Sequence, residues 1–259
     1  MTRDRPTRTL VLHCPQWPVV AAGAAGRAAI VVRANRVVAA SVAAREAGIT
    51  VGLRRRESQR RCPQVEVLEH DPDRDARAFE PVAASLDSIT PRVEVSAPGT
   101  LAFATRGPSR YFGGDQALAD RTTWMVSGAV GAHVAVRVGV ADGAFGALLA
   151  AQRADARGTE SLVVPPDASP AFLAPQPVQS LLSALDEPDL VDVWQRLGLR
   201  TLGLVADLPE ADVLGRFGVP GVVAHRLAAG LDARPLHARR PAPELAVSQE
   251  IDPPADRVD

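Results

Sequence analysis

Apolar residues recur along the chain at two spacings, one typical of strands and the other of helices. Short apolar or alternating runs predict strands over residues 9–13, 28–32, 37–40, 65–68, 134–140 and 162–164, and a hairpin formed by 92–95 and 101–105. Helical spacing predicts helices over 42–47, 75–88, 115–130 and 143–153, with a further helix carrying the arginines of 54–61. Pro15 and Pro18 bracket Trp17 and are expected to interrupt regular structure after the first strand.

With residues 18–74 set aside, the order is strand, helix, strand, strand, helix, strand, which is the ferredoxin-like split unit. The predicted fold class is therefore α+β, with a small basic α+β subdomain inserted after the first strand. Five prolines over 165–177 predict an interdomain connection to an all-α domain ending near residue 238. Its short helices are separated by glycines and suit a helix-hairpin-helix element, whose N–H groups can meet DNA phosphates, although a plain helical bundle fits as well.

Composition limits the class of protein. The 259 residues are 46% hydrophobic, enough for a sizeable core. The formal net charge is −1, so a nucleic-acid surface would have to come from local clustering of arginines, which are the chain's only cationic side chains apart from histidine. Two isolated cysteines and no membrane-length apolar run lead us to expect a reduced, cytoplasmic protein without a membrane partner.

Acidic residues are missing from two segments that the predicted fold brings together. No carboxylate lies between Asp4 and Glu46, and none lies between Glu94 and Asp115. In the ferredoxin-like order the first and third strands are neighbours, so His13 and Gly99 should face one another. That is a natural position for two-metal chemistry, but magnesium requires carboxylate ligands there.

Several motifs together resemble the Y-family translesion DNA polymerases over residues 8 to about 258. They are Ala40-Ser41-Val42-Ala43-Ala44-Arg45-Glu46-Ala47-Gly48, Arg61-Cys62-Pro63, Pro91-Arg92-Val93-Glu94, Phe112-Gly113-Gly114, 137–141 (RVGVA) and 197–203 (LGLRTLG). The resemblance implies a ferredoxin-like palm (8–17 and 75–165), a fingers subdomain (18–74), a helix-hairpin-helix thumb (166–238) and a linker (239–259) toward a little-finger domain.

The chain lacks most of the residues that bind metal and triphosphate in that family. The family's first-strand aspartates fall within Val11, Leu12, His13 and Cys14, and its later Asp-Glu pair falls on Gly99 and Thr100. The tyrosine and arginine that clasp the triphosphate correspond to Val42 and Arg45, so Arg45 is interpreted as vestigial. A triphosphate-contacting lysine corresponds to Ala144. We therefore expect no catalysis, no metal and no cofactor.

Within the family the chain is most similar to the catalytically inactive ImuB type of the actinobacterial mutasome, which has a similar Cys-Pro-x-Trp-Pro segment. This implies a scaffold for mutagenic DNA damage tolerance in the SOS response. Its implied partners are the sliding clamp, a RecA-like accessory protein and an error-prone replicative-type polymerase, bound mostly through regions beyond residue 259.

Two alternatives remain open: an active translesion polymerase with relocated metal ligands, and a DNA-binding module. The candidate nucleic-acid contacts are Arg54, Arg55, Arg56, Arg60 and Arg61 in the fingers and Gly198, Arg200, Thr201 and Gly203 in the thumb. The same arginine run also fits a solvated helix face.

Overall fold

The computed structural model describes residues 6–131, 134–232 and 236. Its strands are β1 (Arg8–His13), β2 (Ala29–Arg33), β3 (Arg36–Ala40), β4 (Glu66–Glu69), β5 (Glu94–Ala97), β6 (Thr100–Ala104), β7 (Arg137–Asp142) and β8 (Ser161–Val163). The first seven helices are α1 (Trp17–Ala21), α2 (Val42–Glu46), α3 (Arg55–Arg61), α4 (Pro72–Ala84), α5 (Arg106–Phe112), α6 (Asp115–Val130) and α7 (Ala144–Arg157). The last four are α8 (Ser169–Leu173), α9 (Pro188–Arg196), α10 (Leu202–Ala206) and α11 (Glu210–Ala228), with a 3-10 helix at Val178–Ser183 before α9.

The larger sheet has the order β5-β6-β1-β7-β8. Strand β1 is antiparallel to both β6 and β7, and β8 is parallel to β7. This order confirms the ferredoxin-like unit and the predicted pairing of its first and third strands. Alternation along β1 sends Leu10 and Leu12 into a core shared with α4 and α6, and sends Val11 to the opposite face, toward α7.

Helix α7 lies unusually close to that opposite face because β7 carries a glycine at the crossing point. A Cβ on Gly139 would lie 2.0 Å from the carbonyl oxygen of Ala147 and 2.4 Å from the backbone nitrogen of Ala151. The RVGVA motif is thus explained by packing, since only glycine permits the contact. The close approach also sets the position of the amino end of α7 beside β1 and β6.

The smaller sheet has the order β3-β2-β4, with β2 and β3 joined by a two-residue hairpin turn. Ala34 and Asn35 form the turn with φ of 49° and 61°. Two left-handed residues are the signature of a turn whose twist matches the flanking strands. The predicted strands of this basic subdomain are confirmed, with Ile30, Val32 and Ile49 in its core.

The helical region after the palm-like sheet has its own core. Trp194 is fully buried and makes an edge-on contact with Phe217, their ring centroids 5.6 Å apart. Helix α11 is bent at Gly218, whose φ of 64° is not helical. None of the helices in the described part of the chain is both long and apolar enough to cross a membrane.

Three short helices were not predicted from the sequence. Prolines were expected to interrupt structure after β1, but Pro18 lies in the first turn of α1, where its missing N–H is not needed. Pro170 likewise lies in the first turn of α8, so the proline-rich stretch contains a short helix in which Leu173 is fully buried. Helix α5 was also missed, and α4 begins three residues early because the Asp71 side chain caps it. The predicted linker 239–259 lies outside the described residues.

Candidate functional site

Three of the positions that correspond to polymerase acids, Val11, His13 and Thr100, lie together on the α7 side of the larger sheet. His13 pairs directly with Thr100 in the β1–β6 ladder, and His13 Nδ1 is 3.0 Å from Thr100 Oγ1. Leu12, the neighbouring candidate position, is fully buried on the opposite face. An imidazole and a hydroxyl therefore face each other where the resemblance would put carboxylates.

The protonation states of the two residues at this strand end are set by burial. Burial lowers the pKa of His13 below its ordinary 6.5, opposed in part by the charge of Asp155. Burial raises the pKa of Cys14 to about 12. At neutral pH both groups are uncharged, so neither offers a negative charge to a cation.

Gly99 closes the turn before β6, and its surroundings leave no room for a side chain. Its φ is 92°, and its carbonyl oxygen accepts a 2.7 Å hydrogen bond from the Cys14 N–H. A Cβ there would lie 2.5 Å from Trp17 Cβ and 3.2 Å from the Cys14 carbonyl oxygen. An acidic residue at position 99 would require the backbone or Trp17 to move. The present packing therefore fits only glycine at this position.

A cleft of about 490 Å³ opens over this strand end, between the sheet, α7 and the C-terminal helical region. Four of the candidate positions line it together, namely Val11, His13, Thr100 and Ala144. The remaining walls are largely apolar, with Ala102, Phe145, Leu148, Leu185 and Leu227 among them. The strand end that the resemblance compares with a metal site therefore lies in a cleft whose lining is largely apolar.

Two carboxylates also line this cleft, and sequence analysis did not identify either as a possible ligand. Glu94 lies in β5, and Asp232 follows α11. Asp232 Oδ1 accepts a 2.9 Å hydrogen bond from the backbone N–H of Ala144, which ties the chain after α11 to the first turn of α7. Nothing in the local sequence signals this cap, because the two residues are 88 positions apart.

Side chains that could bind a metal ion do not form a cluster in the described part of the chain. Across 6–131, 134–232 and 236, the structure contains no group of three or more His, Cys, Asp or Glu placed to hold an ion. His13 and the two carboxylates are the cleft's potential ligands, and they do not form such a group. Magnesium prefers an octahedral shell of oxygens supplied by carboxylates and phosphates, which this lining fits poorly.

The predicted nucleotide-clasping pair lies elsewhere. Val42 and Arg45 belong to the one-turn helix α2 of the smaller subdomain, and neither is among the residues lining the cleft. Val42 is 56% exposed, and the Arg45 side chain has no hydrogen bond or ion pair within the described part of the chain. The structure does not bring this pair to His13 and Thr100.

The arginines of the arginine-rich segment lie in three different surroundings. Arg61 is bound internally, through a 2.8 Å ion pair with Glu57 and a hydrogen bond to the Gly48 carbonyl oxygen. Arg54, Arg55 and Arg56 instead line a separate pocket of about 390 Å³ with the β2–β3 turn. Arg60 is exposed on α3.

The predicted thumb contacts join α9 to α10. Gly198 adopts a left-handed φ of 86°, and Thr201 caps α10 by accepting from the Leu204 N–H. The backbone N–H of Gly203 donates to Ala174 O and that of Arg200 to Gly198 O, each at 2.9 Å. These two donors are engaged within the protein, whereas the Arg200 side chain is exposed.

Comparison with known proteins places the chain in a family. The model of the impB/mucB/samB family matches residues 14–152. Protein ImuB of Caulobacter vibrioides is 30% identical over 81% of this chain, which spans 44% of that protein's length. DNA polymerase IV of Halorhodospira halophila is 27% identical over 79% of this chain and 56% of its own length.

Solved structures agree on the fold. The insertion ternary complex of Dbh DNA polymerase superposes with a TM-score of 0.69 at 14% identity, covering 88% of this chain and 69% of that one. A second Dbh ternary complex gives a TM-score of 0.65 at 15% identity, over 85% and 66% of the two chains. The family model covers more than half of the chain, and the chain therefore belongs to the impB/mucB/samB family of Y-family DNA polymerases and their relatives.

Proposed function

We propose that this chain is a non-catalytic, polymerase-like scaffold of a cytoplasmic, error-prone DNA damage tolerance complex. It retains the architecture that arranges a template and an incoming nucleotide but not the anionic ligands that would hold two metal ions. The resemblance to the ImuB type suggests the sliding clamp, a RecA-like accessory protein and an error-prone replicative-type polymerase as the components it organises.

The main support for the proposal is Gly99. A drifting active site would leave space for the lost side chain, so that a single substitution could restore it. At position 99 the left-handed backbone and the 2.5 Å approach to Trp17 Cβ oppose any side chain. The local structure is adapted to glycine, which is what long-standing loss of the acid would produce.

The His13–Thr100 pair supports the same conclusion through charge. A neutral imidazole beside a hydroxyl can take part in a hydrogen bond but cannot offset a divalent cation. Dehydrating magnesium in a site without compensating negative charge costs about 5 kcal/mol or more in desolvation free energy, and nothing in the His13–Thr100 pair offsets that cost.

An active polymerase with relocated ligands is the second candidate, and one observation favours it. Glu94 and Asp232 place two carboxylates on the lining of the cleft that contains His13. If metals bound there, these two residues would be the ligands.

Primer extension separates the two candidates. The purified chain is incubated with a primer-template and deoxynucleotides in magnesium or manganese, beside an E94Q/D232N variant and a competent DNA polymerase as the positive control. We expect no templated incorporation by either form of the chain. Templated incorporation by the unaltered chain would contradict the scaffold proposal, and its loss in E94Q/D232N would establish the relocated site.

A further inference from the structure

The two exposed aromatic side chains of the protein lie on one pair of helices. The chain has six phenylalanines, three tryptophans and one tyrosine, and all of them belong to the described residues. Only Tyr111 and Trp124 are exposed, at 83% and 67%. Tyr111 lies in α5 and Trp124 in α6, on the face of the larger sheet that is turned away from the cleft. This surface is therefore independent of the degenerate metal site.

Helix α6 has one buried face and one exposed face. The buried face packs on the sheet through Leu118, Ala119, Thr122, Thr123 and Val126. The exposed positions recur at three- and four-residue spacing, so they share one side of the helix. They are Ala117, Asp120, Arg121, Trp124 and Gly128, and we call them the outer face of α6.

Two side chains of the outer face are held together before any partner arrives. The Arg121 guanidinium stands over the indole of Trp124, with its Cζ 4.5 Å from the ring centroid. Such a contact lowers the cost of ordering both side chains in an interface. In the described part of the chain, Arg121 pairs with no carboxylate. Asp120 accepts a 2.8 Å hydrogen bond from the Gln116 amide nitrogen but pairs with no cation. A cation and an anion thus stand side by side, each without an opposite charge.

The outer face of α6 is complementary to itself. Two copies of α6 can pack antiparallel about a two-fold axis that passes between positions 120 and 121. Each residue then meets the residue that lies equally far from the midpoint on the other copy. Arg121 faces Asp120 of the second copy, and Trp124 faces Ala117 of the second copy. Opposite charges meet, a large side chain meets a small one, and the symmetry makes each contact twice.

Glycines at both ends of this arrangement let the two backbones approach. Gly128 and Gly113 are the next pair related by the same axis. A Cβ on either would have no heavy atom of its own chain within 4 Å, so both positions face open space. The two helix axes can therefore come to the separation of about 8–10 Å that is usual for packed helices. Tyr111 lies two residues before Gly113, at the rim of the same contact.

We propose that the outer face of α6 is a homodimer interface, occupied by a second copy of this chain. A partner of different sequence would not require charges and sizes to be matched about one point of α6, whereas a two-fold contact requires both. One helix pair buries less than the roughly 800 Å² per partner of a standard interface, so association should be weak, at roughly micromolar concentrations or above. The contact does not depend on whether the cleft binds metal.

Exchanging charges across the axis tests the proposal. Sedimentation velocity measures the mass of the nuclease-treated chain between about 5 and 500 μM. D120R and R121D each place like charges at both contacts, so each variant alone should associate about 30-fold more weakly or worse. An equimolar mixture of the two variants restores opposite charges at both contacts, so a mixed dimer should form. The double variant D120R/R121D should dimerise for the same reason.

The matched control makes the same charge changes on another helix. Asp192 and Arg196 are exposed on α9, four residues apart and outside the outer face of α6. D192R and R196D, alone or mixed, should associate as the unaltered chain does. W124A should weaken the dimer about 30-fold, because a buried tryptophan is a typical centre of binding energy in an interface. Its melting temperature should change little, because the indole is 67% exposed in the single copy.

Several outcomes would overturn the proposal. The unaltered chain could remain monomeric over the whole concentration range. D120R and R121D could each dimerise as tightly alone as they do when mixed, or the α9 controls could lose as much as the α6 variants. W124A could also leave the association unchanged. Recovery in the mixture shows that both single variants are folded, since a mixed dimer needs an intact outer face on each copy.

Discussion

Replacing Gly99 by alanine tests whether the packing around position 99 excludes a side chain where the family carries an acid. The substitution adds one methyl group to a residue with φ of 92°, against Trp17 Cβ at 2.5 Å and the Cys14 carbonyl oxygen at 3.2 Å. Alanine is the smallest side chain available, so the steric part of its cost is the least that an aspartate at the same position would meet.

The magnitude has two parts. Holding an alanine in the left-handed region costs about 1–2 kcal/mol. Forcing a methyl group into a packed contact costs about 1–3 kcal/mol more, provided that Trp17 shifts only partly. The sum is about 2–5 kcal/mol in the free energy of unfolding, or roughly 4–20 °C in melting temperature for a protein of this size.

Thermal and urea unfolding followed by circular dichroism measure this cost. The control is Gly128, which lies on the exposed side of α6 and would find no heavy atom within 4 Å of a new Cβ. G128A should stabilise the protein by about 0.5–1 kcal/mol, because alanine is the better helix former. A G99A protein that melts within a degree of the unaltered chain would refute the reasoning, since position 99 could then accept an acid.

Three further perturbations have expected outcomes. Because burial lowers the pKa of His13, the unfolded chain binds a proton at this imidazole more readily than the folded chain does, so stability should fall as the pH drops below about 6.5. H13Q should therefore show a smaller fall in melting temperature between pH 7 and 5. In G139A the new Cβ would meet the Ala147 carbonyl oxygen at 2.0 Å, so unfolding should become easier by about 3 kcal/mol or more in a urea titration, and an unchanged midpoint would contradict the close packing of α7. Removing the Asp232 cap in D232A should cost about 1 kcal/mol in thermal unfolding, whereas D232N, which keeps an oxygen for the Ala144 N–H, should recover most of it.

Local patterning predicted most of the sheet and its order. Alternation in β1 and β6 and the helical spacing of α6 depend on neighbours in sequence, so they can be read without knowing the fold. Their order identified the split ferredoxin-like unit, which brought His13 beside Thr100. The absence of acids at that junction was equally visible, because it is a property of the sequence.

Features that depend on distant contacts were not predicted. The tight packing of Gly99 on Trp17 joins residues 82 positions apart (99 − 17), and the Asp232 cap joins residues 88 apart. The basic run also looked uniform in sequence. Only the hydrogen bonds between the β2–β3 turn and the start of α3 distinguish Arg54 and Arg56, which line a pocket beside that turn, from Arg61, which pairs with Glu57.

The proposal that this polymerase fold has lost its metal chemistry is tested most directly by manganese binding. Free Mn²⁺ is measured by electron paramagnetic resonance while the purified chain is titrated, with and without a deoxynucleotide and primer-template. The account predicts no saturable site in the cleft at millimolar metal, because His13 and Thr100 supply no negative charge and the two carboxylates on the lining do not form a ligand group with His13. A stoichiometric site that disappears in E94Q/D232N would contradict it.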